Sequence, residues 1–258
     1  SSVRQQALRV EAARAALRGA DGWARRGSTH GFSVLTQGQA AYGEVLTLRV
    51  EGSMDVPLFD LLVLLHEVDL WATWAPTLCG MGLRSARFVA EAGPLRKVIH
   101  VTTRLPWPFQ DRDLVIAAEV ADCMDDVGGG ERQVIILLDS AQVSRGFPAH
   151  CLEAVPGEGG NKRVWLEHSA IVLTPRSADA DQAAGRTELK ALMSAKVDVA
   201  LPTWLVNLAV DTMSCLVLHC LCAQAAKIGQ SEVYQQRLAQ TDNPFIAVMR
   251  RRLAQVLE

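Results

Sequence analysis

The sequence predicts an α+β fold: a curved antiparallel sheet around an apolar pocket, closed by a long C-terminal helix. Three observations lead there. Six strand-like segments follow one another between residues 82 and 199, separated by turns that carry Gly or Pro. The last of them alternates cleanly between apolar and polar residues. A long apolar-striped helix follows at once, with Pro202 in its first turn. Many consecutive antiparallel strands twist and curl. A single long helix meeting a curled sheet packs into its concave side or caps its mouth, and a pocket between the two is the natural product.

Taken in order, residues 3–18 read as a helix rich in Ala, Arg and Leu, stopped by Gly19. Residues 43–53 read as a half-buried strand, with Leu46, Leu48 and Val50 on one face and Thr47, Arg49 and Glu51 on the other. Pro57 opens a short apolar helix over 57–65. A second covers 67–73 and ends before Pro76. The strands are expected at 82–91, 95–104, 112–122, 132–143, 162–174 and 186–199. In the last, Leu189, Ala191, Met193, Ala195, Val197 and Val199 form a dry face. Glu188, Lys190, Ser194, Lys196 and Asp198 form a wet one, and Leu192 is the only break. The helix after Pro202 repeats apolar positions at Leu205, Leu208, Ala209, Thr212, Met213 and Leu216. A last helix is expected from Pro244 to Leu257, with Asn243 as its N-cap.

The 258 residues, 49% hydrophobic and 21% charged, suit one large domain with a sizeable core. No Pro- or Ser-rich linker divides them. A net charge of −2 and the lack of a basic stripe argue against a nucleic-acid partner. The longest apolar stretch, Cys215 to Ala226, is broken by His219 and Gln224 and is expected to be too short and too polar to span a membrane. The chain opens Ser1-Ser2-Val3-Arg4 with neither Met nor an apolar leader, as expected of a processed chain or a fragment, and of one that is not secreted. Six cysteines without a secretion signal, three crowded on one helix, read as reduced thiols in an intracellular compartment.

Three segments resemble the START (steroidogenic acute regulatory protein-related lipid transfer) domain family. Glu67-Val68-Asp69-Leu70-Trp71-Ala72-Thr73-Trp74-Ala75-Pro76 looks like the family's acidic residue, short helix, Trp and Pro. Leu105-Pro106-Trp107-Pro108-Phe109-Gln110-Asp111-Arg112-Asp113-Leu114-Val115 is similar to its Pro-rich turn followed by Arg-Asp and an apolar strand. Leu201-Pro202-Thr203-Trp204-Leu205-Val206-Asn207 resembles the start of its lid helix. The resemblance implies a helix-grip fold over residues 1–228, with one lipid, sterol or pigment held in an internal tunnel. It also implies that the lid helix and neighbouring loops move to admit the ligand. Sterol-binding members carry a buried acid–base pair. Its arginine would fall near Ala118 and its acid near Thr102 or Thr103, none of which carries a charge. Residues 229–258 form an extension to which the resemblance does not reach.

Under that reading, a tunnel needs an apolar wall and a few polar groups. Met193, Ala195, Val197, Leu205, Leu208, Ala209, Thr212, Met213 and Leu216 are expected to supply the wall, with Ala118. His100, Thr102 and His168 are candidates for hydrogen bonds to a head group, or else satisfied histidines and a threonine of the structure. Arg112 and Asp113 are expected to hold structure. Cys215, His219 and Cys222 share a helix face, yet no fourth ligand stands near in sequence, so they read as core packing and no metal is expected. His66-Glu67 and Asp125-Asp126 could suggest acid–base chemistry. Without a nucleophile elbow, Walker loop or dinucleotide turn, no cofactor is expected either. The last helix places Phe245, Met249, Leu253 and Val256 on one stripe beside Arg250-Arg251-Arg252. It packs on its own domain, lies on an anionic membrane, or docks on a protein partner. Three functions are weighed: a non-catalytic carrier of a hydrophobic molecule, a ligand-free interaction module in a larger assembly, and an enzyme acting on a hydrophobic substrate.

Overall fold

A computed structural model describes residues 2–19, 21–38, 45–125, 131–141, 146–157, 159–176, 185–196, 202–240 and 242–257. The chain begins with helix α1 (Ser2–Arg18), then strands β1 (Ala24–Thr29), β2 (Phe32–Gln37) and β3 (Val45–Met54). Helix α2 (Leu58–His66), a 3-10 turn (Val68–Leu70) and α3 (Trp71–Trp74) come next. Strands β4 (Thr77–Leu78), β5 (Met81–Glu91), β6 (Arg96–Arg104), β7 (Arg112–Cys123) and β8 (Gln133–Ser140) lead to α4 (Ala149–Glu153). Strands β9 (Lys162–Arg163), β10 (Trp165–Leu166), β11 (Ser169–Arg176) and β12 (Arg186–Lys196) complete the sheet. The lid is one run of α5 (Thr203–Asn207), a π-helical stretch (Leu208–Met213) and α6 (Ser214–Ala225). A 3-10 turn (Ile228–Gln230), α7 (Glu232–Ala239) and α8 (Pro244–Leu257) end the chain.

The strands form one sheet in the order β1-β2-β3-β12-β11-β8-β7-β6-β5-β4, with β10 beside β12 and β9 beside β7. Every pair is antiparallel except β7 with β9. Register shifts between Leu83 and Ser85 and between Phe88 and Ala90 bend β5, as extra residues in one strand of a pair do. The first hairpin turns through His30 (φ 48°) and Gly31 (φ 78°), the left-handed pair that a two-residue hairpin loop requires.

Both sheet faces are covered, which accounts for the continuous apolar runs of β7, β8 and β11. On the convex side Val10, Ala13 and Leu17 of α1 pack on Ile135, Leu137, Ala170, Val172 and Leu192. Leu192, the break in the alternation of β12, is therefore a contact to α1 on a face expected to be wet. On the concave side Phe32, Val34, Val50, Leu61, Leu62 and Leu64 join Leu218, Leu221 and Ala225 of α6 and Phe245, Ile246, Met249 and Leu253 of α8. Gly52 is needed here, since a Cβ would lie 2.5 Å from the ring of the fully buried Phe32.

One expectation changes. The apolar run is longer than Cys215 to Ala226: the helix Trp204–Ala225 has 22 residues and is long and apolar enough to cross a membrane by length and composition. In this fold Leu205, Val206, Val210, Leu218, Leu221 and Ala225 of that run are buried against the protein. Helix α8 begins where expected, with Asn243 Oδ1 accepting from the Phe245 and Ile246 amides at 3.0 and 3.4 Å. Its apolar stripe is core: Phe245, Met249 and Leu253 are buried. Arg252 donates to Asp122 and Asp125, and Arg250 to the Leu238 carbonyl.

Candidate functional site

The curled sheet and the helices border a partly open cavity of about 370 Å³, within the range of small-molecule sites (roughly 300–1,000 Å³). Strand register builds its floor. Ile99 lies opposite Ile116, and Lys97 opposite Ala118. Ala118 faces Leu138, Val120 faces Ile136, and Ile136 faces Ile171. Alternate residues of β6, β7 and β8 thus turn one apolar row inward. Met193 adds the contribution of β12. The roof is Leu62, Leu65 and His66 of α2, Val68, Trp71 and Trp74 after it, Val217 and Leu221 of α6, and Phe245 of α8. Tail and domain therefore share one cavity wall.

Two ionisable side chains stand in this wall. Lys97 is buried, donates to Glu91 Oε1 at 2.8 Å, and holds its ammonium 4.4 Å from the centre of the Phe88 ring. His66 stacks on Phe245 with ring centres 4.1 Å apart and an angle of 6°, and tilts against Phe88 at 5.3 Å. Its Nδ1 lies 3.0 Å from Glu67 Oε1. The other Glu67 oxygen takes Arg237 Nη1 of α7 at 3.3 Å, and Arg237 Nη2 donates to Asp69 at 2.6 Å. The His66 Nε2 is buried and has no hydrogen-bond partner among the described residues.

Of the residues singled out from sequence, Ala118 and Met193 line the cavity. Ala195 packs in the adjoining apolar cluster with Leu166. Val197 lies outside the described residues. The polar candidates are elsewhere, because β6 turns its odd-numbered residues inward. His100 faces the convex side and lies 3.2 Å from Asp113; Thr102 pairs with the Ser85 hydroxyl at 2.7 Å. His168 is an exposed turn residue (φ 47°) beside a second, more polar groove of about 510 Å³ under α1. Arg112 and Asp113 do hold structure: Asp113 takes two bonds from Arg163, and Arg112 donates to the Gln110 carbonyl.

The lid stripe is also displaced. Leu205, Leu208, Ala209, Thr212, Met213 and Leu216 do not border the cavity, whereas Val217 and Leu221 do. A projection at 3.6 residues per turn from Leu205 loses phase across the π-helical stretch Leu208–Met213. That stretch carries Asp211, which accepts from Arg26 of β1 at 2.7 Å. Next to it, bulged Gly27 lets Cys215 approach, since a Cβ there would sit 3.1 Å from its sulfur. His219 meets His30 of the hairpin turn. The first hairpin thus clasps the lid, and Cys215 and His219 belong to that contact.

No protein-family model matches the sequence, and no curated protein matches it. Solved structures do. Human STARD10 superposes with a TM-score of 0.65 at 16% identity, over 93% of this chain and 86% of its own. Human StAR-related lipid transfer protein 5 gives 0.65 at 14% identity, over 89% and 98%. The chain has the START fold. A STAR-related lipid transfer protein from Xanthomonas axonopodis adds a third likeness, with a TM-score of 0.56 at 17% identity, over 80% of this chain and 99% of its own. In START terms, the sheet is the grip, Thr203–Ala225 is the lid, and the cavity lies where the two meet. His66 and Lys97 are ionisable wall residues that sequence reasoning did not place at the cavity. His66 stands out in the sequence only with Glu67, as a possible acid–base pair; Lys97 sits in a strand whose register is needed to give it a face.

Proposed function

We propose that this chain is a non-catalytic carrier of a hydrophobic small molecule, a lipid, sterol or pigment, held in the cavity beneath the lid. The observation that carries the reading is the cavity's composition: an almost wholly apolar wall contributed by six strands and the helices α2, α3, α6 and α8. Burial of ligand carbon there contributes about 0.8 kcal/mol per methylene. Such a wall holds a ligand firmly and discriminates weakly, so selectivity falls to the few polar groups present. The names of the solved START structures, which speak of lipid transfer, support the same reading.

Exchange with a bilayer belongs to the proposal. Trp107 is 92% exposed in the loop before β7, and Trp204 is 56% exposed at the start of the lid. Phe109 links them, 6.3 Å from the Trp204 ring. Tryptophan is the side chain best suited to a membrane–water boundary. Six free thiols suit work inside the cell.

Native mass spectrometry of the purified chain, followed by organic extraction, tests the carrier. A stoichiometric apolar ligand is expected. A bare chain that takes up neither a fluorescent sterol nor a fluorescent phospholipid overturns the reading.

A further inference from the structure

The tail enters the cavity wall at a single side chain. Phe245, the second residue of α8, borders the cavity, while Ile246, Met249 and Leu253 of the same helix lie in the core behind it. The floor runs along β7 from Ile116 through Ala118 to Val120, roughly 13 Å at the rise of a strand. Its two ends belong to different apolar clusters. At one, Trp71 and Met193 pack with Ile99, Ile116 and Leu138. At the other, Leu95 and Val120 share a cluster with Phe245. The Val120 amide donates to the Leu95 carbonyl at 2.8 Å and ties the turn between β5 and β6 to that end.

The two ends of the roof differ in exposure. Val217 of α6 is 39% exposed and is the exposed residue among those lining the cavity. Phe245 is 3% exposed, and the fully buried Ile246 and Met249 leave no path past it. Its ring is also held in place. His66 stacks flat on it. The Phe245 amide donates to the Asn243 cap, and Arg237 ties the preceding helix to Glu67 and Asp69, next to His66. A side chain packed on every side cannot swing away without disturbing a close-packed interior.

We infer that Phe245 is the end-stop of the cavity and sets the length of the apolar chain that the cavity accepts. The chain enters past Val217 and runs along the floor to the Phe245 ring. A polar group on the ligand stays at the open side, because the wall offers almost no polar surface to receive one. Length is thus a source of selectivity that needs no hydrogen bond. The inference rests on the cavity being the ligand site, and the test separates the two.

The probes are straight-chain alcohols of increasing length, each displacing a fluorescent lipid from the full chain, from Phe245→Ala and from Met193→Ala. Within the cavity each added methylene is expected to tighten binding about fourfold, up to a limiting length beyond which affinity stops rising. Phe245→Ala is expected to move that limit to longer alcohols. The first alcohol beyond the native limit then gains about fourfold over its predecessor in the variant and nothing in the native chain. Met193→Ala removes bulk from the floor and is expected to leave the limit in place. A limit that Phe245→Ala does not move, or that Met193→Ala moves equally, overturns the inference and leaves the carrier reading standing. A native chain without a limit does the same. Failure of the native chain to take up the fluorescent lipid and every alcohol overturns the carrier reading, and the inference with it. Phe245→Leu shortens the same side chain while keeping the core filled, and its limit decides the question if Phe245→Ala does not fold.

Discussion

Arg163 lays its guanidinium along the carboxylate of Asp113, with Nε 2.9 Å from Oδ1 and Nη2 2.8 Å from Oδ2, and both side chains are 3% exposed. The same Nη2 donates to the Pro156 carbonyl, and His100 shares the carboxylate. This cluster pins the 146–163 segment, with β9, to the convex face beside β7. Removing one partner would leave the other charged and buried, which costs about 3–5 kcal/mol. Arg163→Ala is expected to lower the urea midpoint accordingly, with ligand uptake retained at temperatures where the variant is folded. An unchanged midpoint would show that the pair adds nothing net to stability.

Ala118 is the small residue in the middle of the cavity floor, between Lys97 on β6 and Leu138 on β8. A phenylalanine there would project into empty space already surrounded by apolar side chains. Ala118→Phe is therefore expected to keep the fold and to abolish uptake of the apolar ligand. Circular dichroism and thermal melting check the first expectation, and titration with a fluorescent lipid checks the second. Retention of full uptake would place the ligand elsewhere.

Much of this architecture was readable in advance, and the failures have definite causes. Strands β5 to β8 and β12 are long, apolar and bounded by turns, so their pattern survives tertiary context. The hairpin of β1 and β2 was missed. Strand β1 is polar throughout, Ala24-Arg25-Arg26-Gly27-Ser28-Thr29, because its side chains meet the lid by charge and by a glycine bulge instead of by apolar burial. The signal that could have found it is the alternation Phe32, Val34, Thr36 just after Gly31. On β6 the period is legible but the face is not: the sequence leaves His100 and Thr102 open between the tunnel and the structure, and a shift of one residue exchanges the faces. Only the pairing with β7 settles that choice, and pairing is not local. The lid failed for a third reason, since a π-helical stretch breaks the period on which the projection depended.

Trp107 and Trp204 stand exposed on two segments that Phe109 brings together, the loop before β7 and the first turns of the lid. Truncating both rings leaves the core untouched. Trp107→Ala with Trp204→Ala is expected to reduce flotation with liposomes and to slow ligand exchange between vesicles, while the affinity for ligand in solution stays unchanged. Exchange at the native rate in the double variant would remove these residues from the membrane step.

Tyr234 of α7 is 2% exposed. Burial pushes its phenol up to about 12 from an ordinary value of 10.0, with Glu67 and Asp69 adding to the rise and Trp74 and Arg237 opposing it. Below the ordinary value both the folded and unfolded chains keep the proton, and the contribution to stability is complete. Between the two values the unfolded chain gives up its proton and the folded chain does not, so stability is lost as pH rises toward 12. A difference of that size amounts to roughly 2–3 kcal/mol over the window. Tyr234→Phe has no proton to lose and is expected to escape this share of the alkaline decline. Urea melts of both chains, below pH 10 and close to pH 12, measure it; parallel losses in the two would show that Tyr234 titrates alike in the folded and unfolded states.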